Sequence, residues 1–229
     1  MIVLRISGLV LMILFLAVGT SCSQTIEEYL GKGLEYGAQG KFEEAEKEFK
    51  KTLEIDQFYE QAEECLRLIE DVLEKRVESE VVIHLFKGGT YHDKGMIDEA
   101  IAEYKKAIAI DPNYVSAHHL LGIAYHDKGM IDEAIAEYKK AIAIDPNHVS
   151  AHHNLGIAYS SKGMTDEAIA EYKKAIAIDP KDASAHNNLA VRYYMQGRYD
   201  LAVKHCDKAI ELGYKVNPRF LEDLKPYRK

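Results

Sequence analysis

The chain has 229 residues, 37 acidic and 29 basic side chains, a formal charge of −8, 47% hydrophobic residues and no tryptophan. With 15 Gly and only 5 Pro it is neither a disordered tail nor a collagen-like chain, and its length suits one or two globular domains. Cys22 to Glu80 holds 17 acids against 8 bases while Val81 to Lys229 holds 20 of each, so no basic stripe is available to neutralise phosphates and nucleic acid is disfavoured as a partner.

At the start of the chain Arg5 is the only charge before Glu27, and Ile6 to Val18 is a 13-residue apolar run followed by Gly19-Thr20-Ser21-Cys22. This is the anatomy of an export signal over residues 1–21. The run is short beside the roughly 20 apolar residues of a spanning helix. Three fates stay open: cleavage before a lipid-modified Cys22, cleavage to a soluble chain after Ala17-Val18-Gly19, and retention as an uncleaved anchor. The cysteine behind small residues resembles the lipobox of bacterial lipoproteins, with Gly19 where that motif usually has Leu. The resemblance implies diacylglycerol on Cys22 and a place in the cell envelope, facing the periplasm. Cys65 and Cys206 remain, and are expected as buried free thiols.

Residues 22–59 form an acidic module in which Gly33, Tyr36, Gly40, Ala45 and Phe49 carry a weak copy of a pattern that recurs downstream. Over 60–80 the apolar positions Ala62, Leu66, Ile69 and Leu73 predict one 21-residue linking helix, which breaks the phase of that pattern. Tyr91 to Asn113 reads YHDKGMIDEAIAEYKKAIAIDPN, and Tyr125 to Asn147 repeats all 23 residues at an offset of 34. A third copy begins at Tyr159 and a divergent one at Tyr193, giving units 81–114, 115–148, 149–182 and 183–216. A fixed period of this size signals stacked repeats that bury their apolar faces only against neighbours.

Each unit reads as two helices. Ala134, Ile135, Tyr138, Ala141 and Ile142 make one apolar stripe, opposite Glu133, Glu137, Lys139 and Lys140, and His118, Leu121, Gly122 and Tyr125 make the other. Gly129 separates them and Asp145-Pro146 stops the second. At the end, Asn217-Pro218 starts a short capping helix within 217–229.

These columns resemble the tetratricopeptide repeat family. The family's small residue appears as Gly88, Gly122, Gly156 and Ala190, and its aromatics as Tyr91, Tyr125, Tyr159, Tyr193, Tyr104, Tyr138 and Tyr172. The second-helix alanines are Ala100, Ala134, Ala168 and Ala202, and the closing prolines are Pro112, Pro146 and Pro180. The resemblance implies an all-α right-handed superhelix of helix-turn-helix repeats whose first helices line a concave groove.

No glycine-rich phosphate loop, activated nucleophile or paired metal-ligand spacing occurs, so no enzyme, cofactor or metal is expected. Histidines fall in columns: His84, His118, His152 and His186, then His119 and His153, then His92 and His126. A metal- or small-ligand-binding protein using these columns is the alternative reading. Residues such as His119 and His126, about 10.5 Å apart along one helix, are too far apart to share an ion.

Binding is expected on the first-helix groove, through Leu85 and His92, then Ser116, His119, Ile123 and His126, then Ser150, His153, Ile157 and Ser160, and finally Asn187, Val191 and Tyr194. Asn154 and Asn188 occur there, without the basic partners that chaperone-binding members use for a terminal carboxylate. The function this implies is a non-enzymatic adaptor in the cell envelope that binds a peptide or helix of a protein partner, with a lipid anchor at Cys22 and an open oligomeric state.

Overall fold

The computed structural model describes residues 25–57 and 59–228. The expected signal segment and Cys22 lie outside the described residues. No helix among those described is long and apolar enough to cross a membrane. All regular structure described is helical: α1 over 25–38, α2 (Phe42–Ile55), α3 (Glu60–Leu73), α4 (Ser79–Asp93), α5 (Ile97–Ile110), α6 (Val115–Asp127) and α7 (Ile131–Ile144) come first. Then follow α8 (Val149–Ser161), α9 (Thr165–Ile178), α10 (Ala183–Met195), α11 (Tyr199–Glu211), α12 (Pro218–Leu224) and a final turn over Lys225–Tyr227. The chain divides into two compact units, Met1–Asp111 and Pro112–Lys229.

The C-terminal unit stacks helix hairpins, α6 on α7, α8 on α9 and α10 on α11, with α7 packed on α8 and α9 on α10. Within a hairpin the turn is set by backbone chemistry. Gly129 sits at φ 82°, where side-chain-bearing residues are strained, and Met130 N–H closes on the Tyr125 carbonyl at 2.8 Å. Between hairpins, the residue before proline is pushed out of helical geometry, and Asp145 is extended at φ −124°. Asp182 and His148 then cap the next first helices, accepting from the backbone of Ala185 at 2.8 Å and Ala151 at 3.1 Å.

The hairpins close by fitting a ring into a notch. A Cβ on Gly122 would stand 2.5 Å from the Tyr138 ring, and one on Gly156 2.6 Å from the Tyr172 ring. Both tyrosines are almost fully buried, and burial pushes their phenols above the usual range. In the last hairpin the aromatic is replaced by Cys206, and the notch is filled by Ala190.

The N-terminal unit departs from simple stacking. Leu34 and Gly37 of α1, and Gly40 in the turn after it, meet Gly89, Phe86 and Ile83 of α4 in turn, so the two helices run antiparallel. Whole repeats add helices in pairs and would keep all first helices parallel. The insert adds one helix, and an odd helix reverses the direction of α4 against α1. Phe86 of α4 stacks on Phe49 with centroids 5.9 Å apart and approaches Phe42 at 6.5 Å. On its other side α3 packs on α2 and α4, buries Ala62, Cys65, Leu68 and Ile69, and hydrogen-bonds Asp93 through Gln61. The expected 21-residue helix over 60–80 is shorter, because Lys75 adopts a left-handed φ of 57° after α3 ends at Leu73. Cys65 and Cys206 are buried free thiols, and burial pushes both above the ordinary thiol range.

Candidate functional site

In the C-terminal unit the first helices α6, α8 and α10 are tied to one another by side chains of the groove face. Asn154 Nδ2 donates to His119 Nε2 at 2.9 Å, and Asn188 Nδ2 donates to His153 Nε2 at 3.2 Å, each spanning 35 residues. With Nε2 accepting, His153 carries its proton on Nδ1 and donates it to Asp182 at 3.0 Å. Burial would raise the Asp182 carboxyl, but this bond and the backbone N–H groups of Ala185 and Ser184 outweigh it and hold it below its usual value. The His126 Nε2 lies 3.4 Å from Ser161 Oγ. At one edge, Lys162 reaches Asp132 at 2.5 Å and Gln196 reaches Asp166 at 2.6 Å, both across 30 residues.

The residues expected to meet a partner are not equally available. His119 is only 3% exposed, its ring 6.1 Å from Tyr138 and 5.0 Å from His148 between centroids. Ser160 turns inward, donating to the Gly156 carbonyl at 2.9 Å. Tyr194 is half-buried, meeting Tyr199 of α11 at 5.4 Å and, in the C-terminal segment, Phe220 edge-on at 5.6 Å and Tyr227 at 6.4 Å. In the N-terminal unit Leu85 is 2% exposed and belongs to the helix core with Leu30, Leu34 and Val82, while His92 is half-buried. Leu85 and His119 are therefore corrected from contact residues to packing residues. Ser116, Ile123, His126, Ser150, His153, Ile157, Asn187 and Val191 keep partial exposure on the first-helix face. That leaves an apolar stripe of Ile123, Ile157 and Val191, flanked by polar groups already bonded to one another, with no Lys, Arg, Asp or Glu at the predicted groove positions.

The main histidine column is built into the hairpins. His118 Nδ1 meets Glu137 at 2.7 Å and its Nε2 meets the Pro112 carbonyl at 3.0 Å; His152 does the same with Glu171 at 2.7 Å and Pro146 at 3.1 Å. In the N-terminal unit His84 meets Glu103 at 2.6 Å. Each glutamate also takes a lysine one turn on, Lys140, Lys174 or Lys106. For Glu103, burial raises the carboxyl, but the bonds from Lys106 and His84 outweigh it, and it sits below its usual value. Reading Glu137 on the solvent face is thus overturned: its carboxylate is drawn in by an imidazole 19 residues earlier, a pairing that helical periodicity within one helix does not reveal. Among the described residues no three His, Cys, Asp or Glu side chains gather as a metal site.

A fold of stacked helix hairpins, with no charged side chain at the predicted groove positions of its first helices, defines a helical-repeat protein. The chain belongs to the tetratricopeptide repeat family. Patterns described as TPR repeat match residues 88–129, 124–163 and 158–197, and tetratricopeptide repeat patterns match 183–212 and 29–59. The crystal structure of MamA is similar at 29% identity, covering 79% of this chain and 93% of that one, with a TM-score of 0.57. PilF of Pseudomonas aeruginosa shares 20% identity over 88% of this chain and 82% of its own, with a TM-score of 0.60. YrrB, described as a TPR protein with an unusual peptide-binding site, shares 21% identity over 84% of this chain and 92% of its own, with a TM-score of 0.54. No curated protein matches the chain in sequence.

Proposed function

We propose that this chain is a non-catalytic adaptor whose C-terminal unit docks a peptide or helix of a partner protein on the first-helix face. The observation that carries this reading is the partly exposed series of Ile123, Ile157 and Val191 at equivalent positions of α6, α8 and α10. Its polar neighbours His119, His153, Asn154 and Asn188 are already paired among themselves, so a partner gains contact area by covering apolar atoms without breaking those bonds. The absence of Lys and Arg at the groove positions argues for an uncharged stretch of partner over a terminal carboxylate. Similarity to YrrB supports peptide docking as the kind of interaction. The site of action in this reading is the cell envelope, with the chain exported and held at the membrane through diacylglycerol on Cys22, and its partner a component of an envelope assembly.

Panning a random peptide library on the purified chain tests the docking surface. Enriched peptides should bind the parent and lose at least about ten-fold in affinity, roughly 1.4 kcal/mol, to a variant carrying Ile157→Asp and Val191→Asp that melts like the parent. No enrichment, or equal binding by the variant, overturns it. The anchor is tested separately by metabolic labelling with a palmitate analogue. The parent should incorporate label and Cys22→Ser should not; an unlabelled parent in the soluble fraction removes the anchor and leaves the docking surface standing.

A further inference from the structure

The fourth repeat breaks the histidine–glutamate rule. His205 occupies the position of Glu103, Glu137 and Glu171, and its Nδ1 stands 2.9 Å from Nδ1 of His186, the rings stacked with centroids 5.2 Å apart. His186 also bonds the Pro180 carbonyl, as His118 and His152 bond Pro112 and Pro146 through Nε2. A carbonyl only accepts, so the His186 proton is fixed on that side and its Nδ1 offers a lone pair, into which His205 Nδ1 donates. The pair closes with both imidazoles neutral.

We propose that the His186–His205 pair is an acid-sensitive joint that loosens α10 and α11 when the surroundings acidify, while the hairpins closed by histidine and glutamate hold. The replacement of a carboxylate by an imidazole inverts the response to a proton. Beside Glu137 or Glu171, a proton on the ring completes an ion pair. At His205 the same proton creates a positive charge in a half-buried site.

The surrounding charges set the balance. His205 faces Lys204 on its own helix, Lys173 on α9, and on α10 both His186 and the Tyr193 ring, the latter with centroids 5.7 Å apart. His186 faces Asp182 at the start of α10, with Lys208 and Glu211 on α11. The two carboxylates thus lie toward His186, whereas the charged neighbours of His205 are cationic. Burial, then the charges of His186, Lys204 and Lys173, lower His205 to about 4. His186 is also lowered, by burial above all. A histidine whose folded value lies below its unfolded value of about 6.5 contributes stability that is complete above that value and is lost as pH falls toward the folded one. The window for loosening is therefore between about pH 6.5 and the folded value of about 4.

The joint bears on the docking surface because α10 carries Asn187 and Val191. This consequence rests on the proposed docking; the loosening itself does not, and is read without any ligand. Hydrogen exchange of the full chain at about pH 7.5 and about pH 5, corrected for intrinsic rates, should show amides of α10 and α11 opening about ten-fold more at the lower pH, with α6 to α9 nearly unchanged, allowing for the partial exposure of His205. His205→Glu, which restores the pattern of the other repeats, and His205→Gln, which cannot charge, should both lose the difference. Uniform loosening of every helix, no loosening, or an acid response in the two variants as large as the parent's overturns the proposal.

Discussion

The Asn154 amide meets the His119 ring of the preceding repeat at 2.9 Å, and Asn188 meets His153 in the same way at 3.2 Å. These bonds join first helix to first helix, beside the packing of α7 on α8 and α9 on α10. Asn188→Ala is expected to cost about 1 kcal/mol in urea unfolding, the usual net worth of such a bond. Combining it with His153→Ala should give a coupling energy of about 0.5–1.5 kcal/mol; strict additivity would show that the ladder is geometric only.

Glu171 is a buried carboxylate between His152 and Lys174, at 2.7 and 2.9 Å. Removing it leaves a buried ring nitrogen without its partner. Glu171→Ala should destabilise by about 1–3 kcal/mol, whereas Lys174→Ala, at the exposed end, should stay within about 1 kcal/mol. Chemical denaturation of the two variants side by side checks the order, which reverses if the exposed lysine is the essential partner.

The notch and its ring form a matched pair. Gly122→Ala puts a methyl 2.5 Å from the Tyr138 ring and should cost about 1–3 kcal/mol by overpacking. In the last hairpin, Cys206→Tyr alone should also destabilise because Ala190 fills the notch, and adding Ala190→Gly should recover part of the loss in thermal melts. No recovery would mean that the ring needs more room than the notch supplies.

Both thiols are enclosed, and burial raises each above the usual thiol range. A thiol-specific chromogenic reagent should therefore react slowly with Cys65 and Cys206 in the native chain and rapidly after urea is added. Fast labelling of Cys65 in the native chain would show that α3 lifts from its neighbours readily.

The repeat was legible because its causes are local. Glycine and tyrosine at a period of 34 residues, with apolar stripes at helical spacing, predicted the hairpins and the burial of Tyr138 and Leu121. What escaped depends on partners distant in sequence. Helical periodicity sets Glu137 opposite the apolar stripe, and nothing within its own helix announces His118. The pairing was nonetheless recoverable from the His and Glu columns, which keep a constant separation of 19 residues through three repeats. His119 was read as a contact residue, but Asn154, His148 and Tyr138 enclose it. The reversed course of α4 against α1 follows from helix parity, already implied by a single inserted helix over 60–80, whereas the early end of that helix at Leu73 depends on the left-handed backbone of Lys75.

Because Asn-to-His bonds span 35 residues and the edge bonds span 30, each joint is indifferent to how many others exist. Excising or duplicating one whole hairpin recreates the same joint, whereas a change of any other length leaves a donor facing the wrong residue. The reach of the apolar stripe is therefore quantised: Ile157 and its counterparts arrive one per hairpin, and a descendant of this chain can lengthen its contact surface only in whole steps.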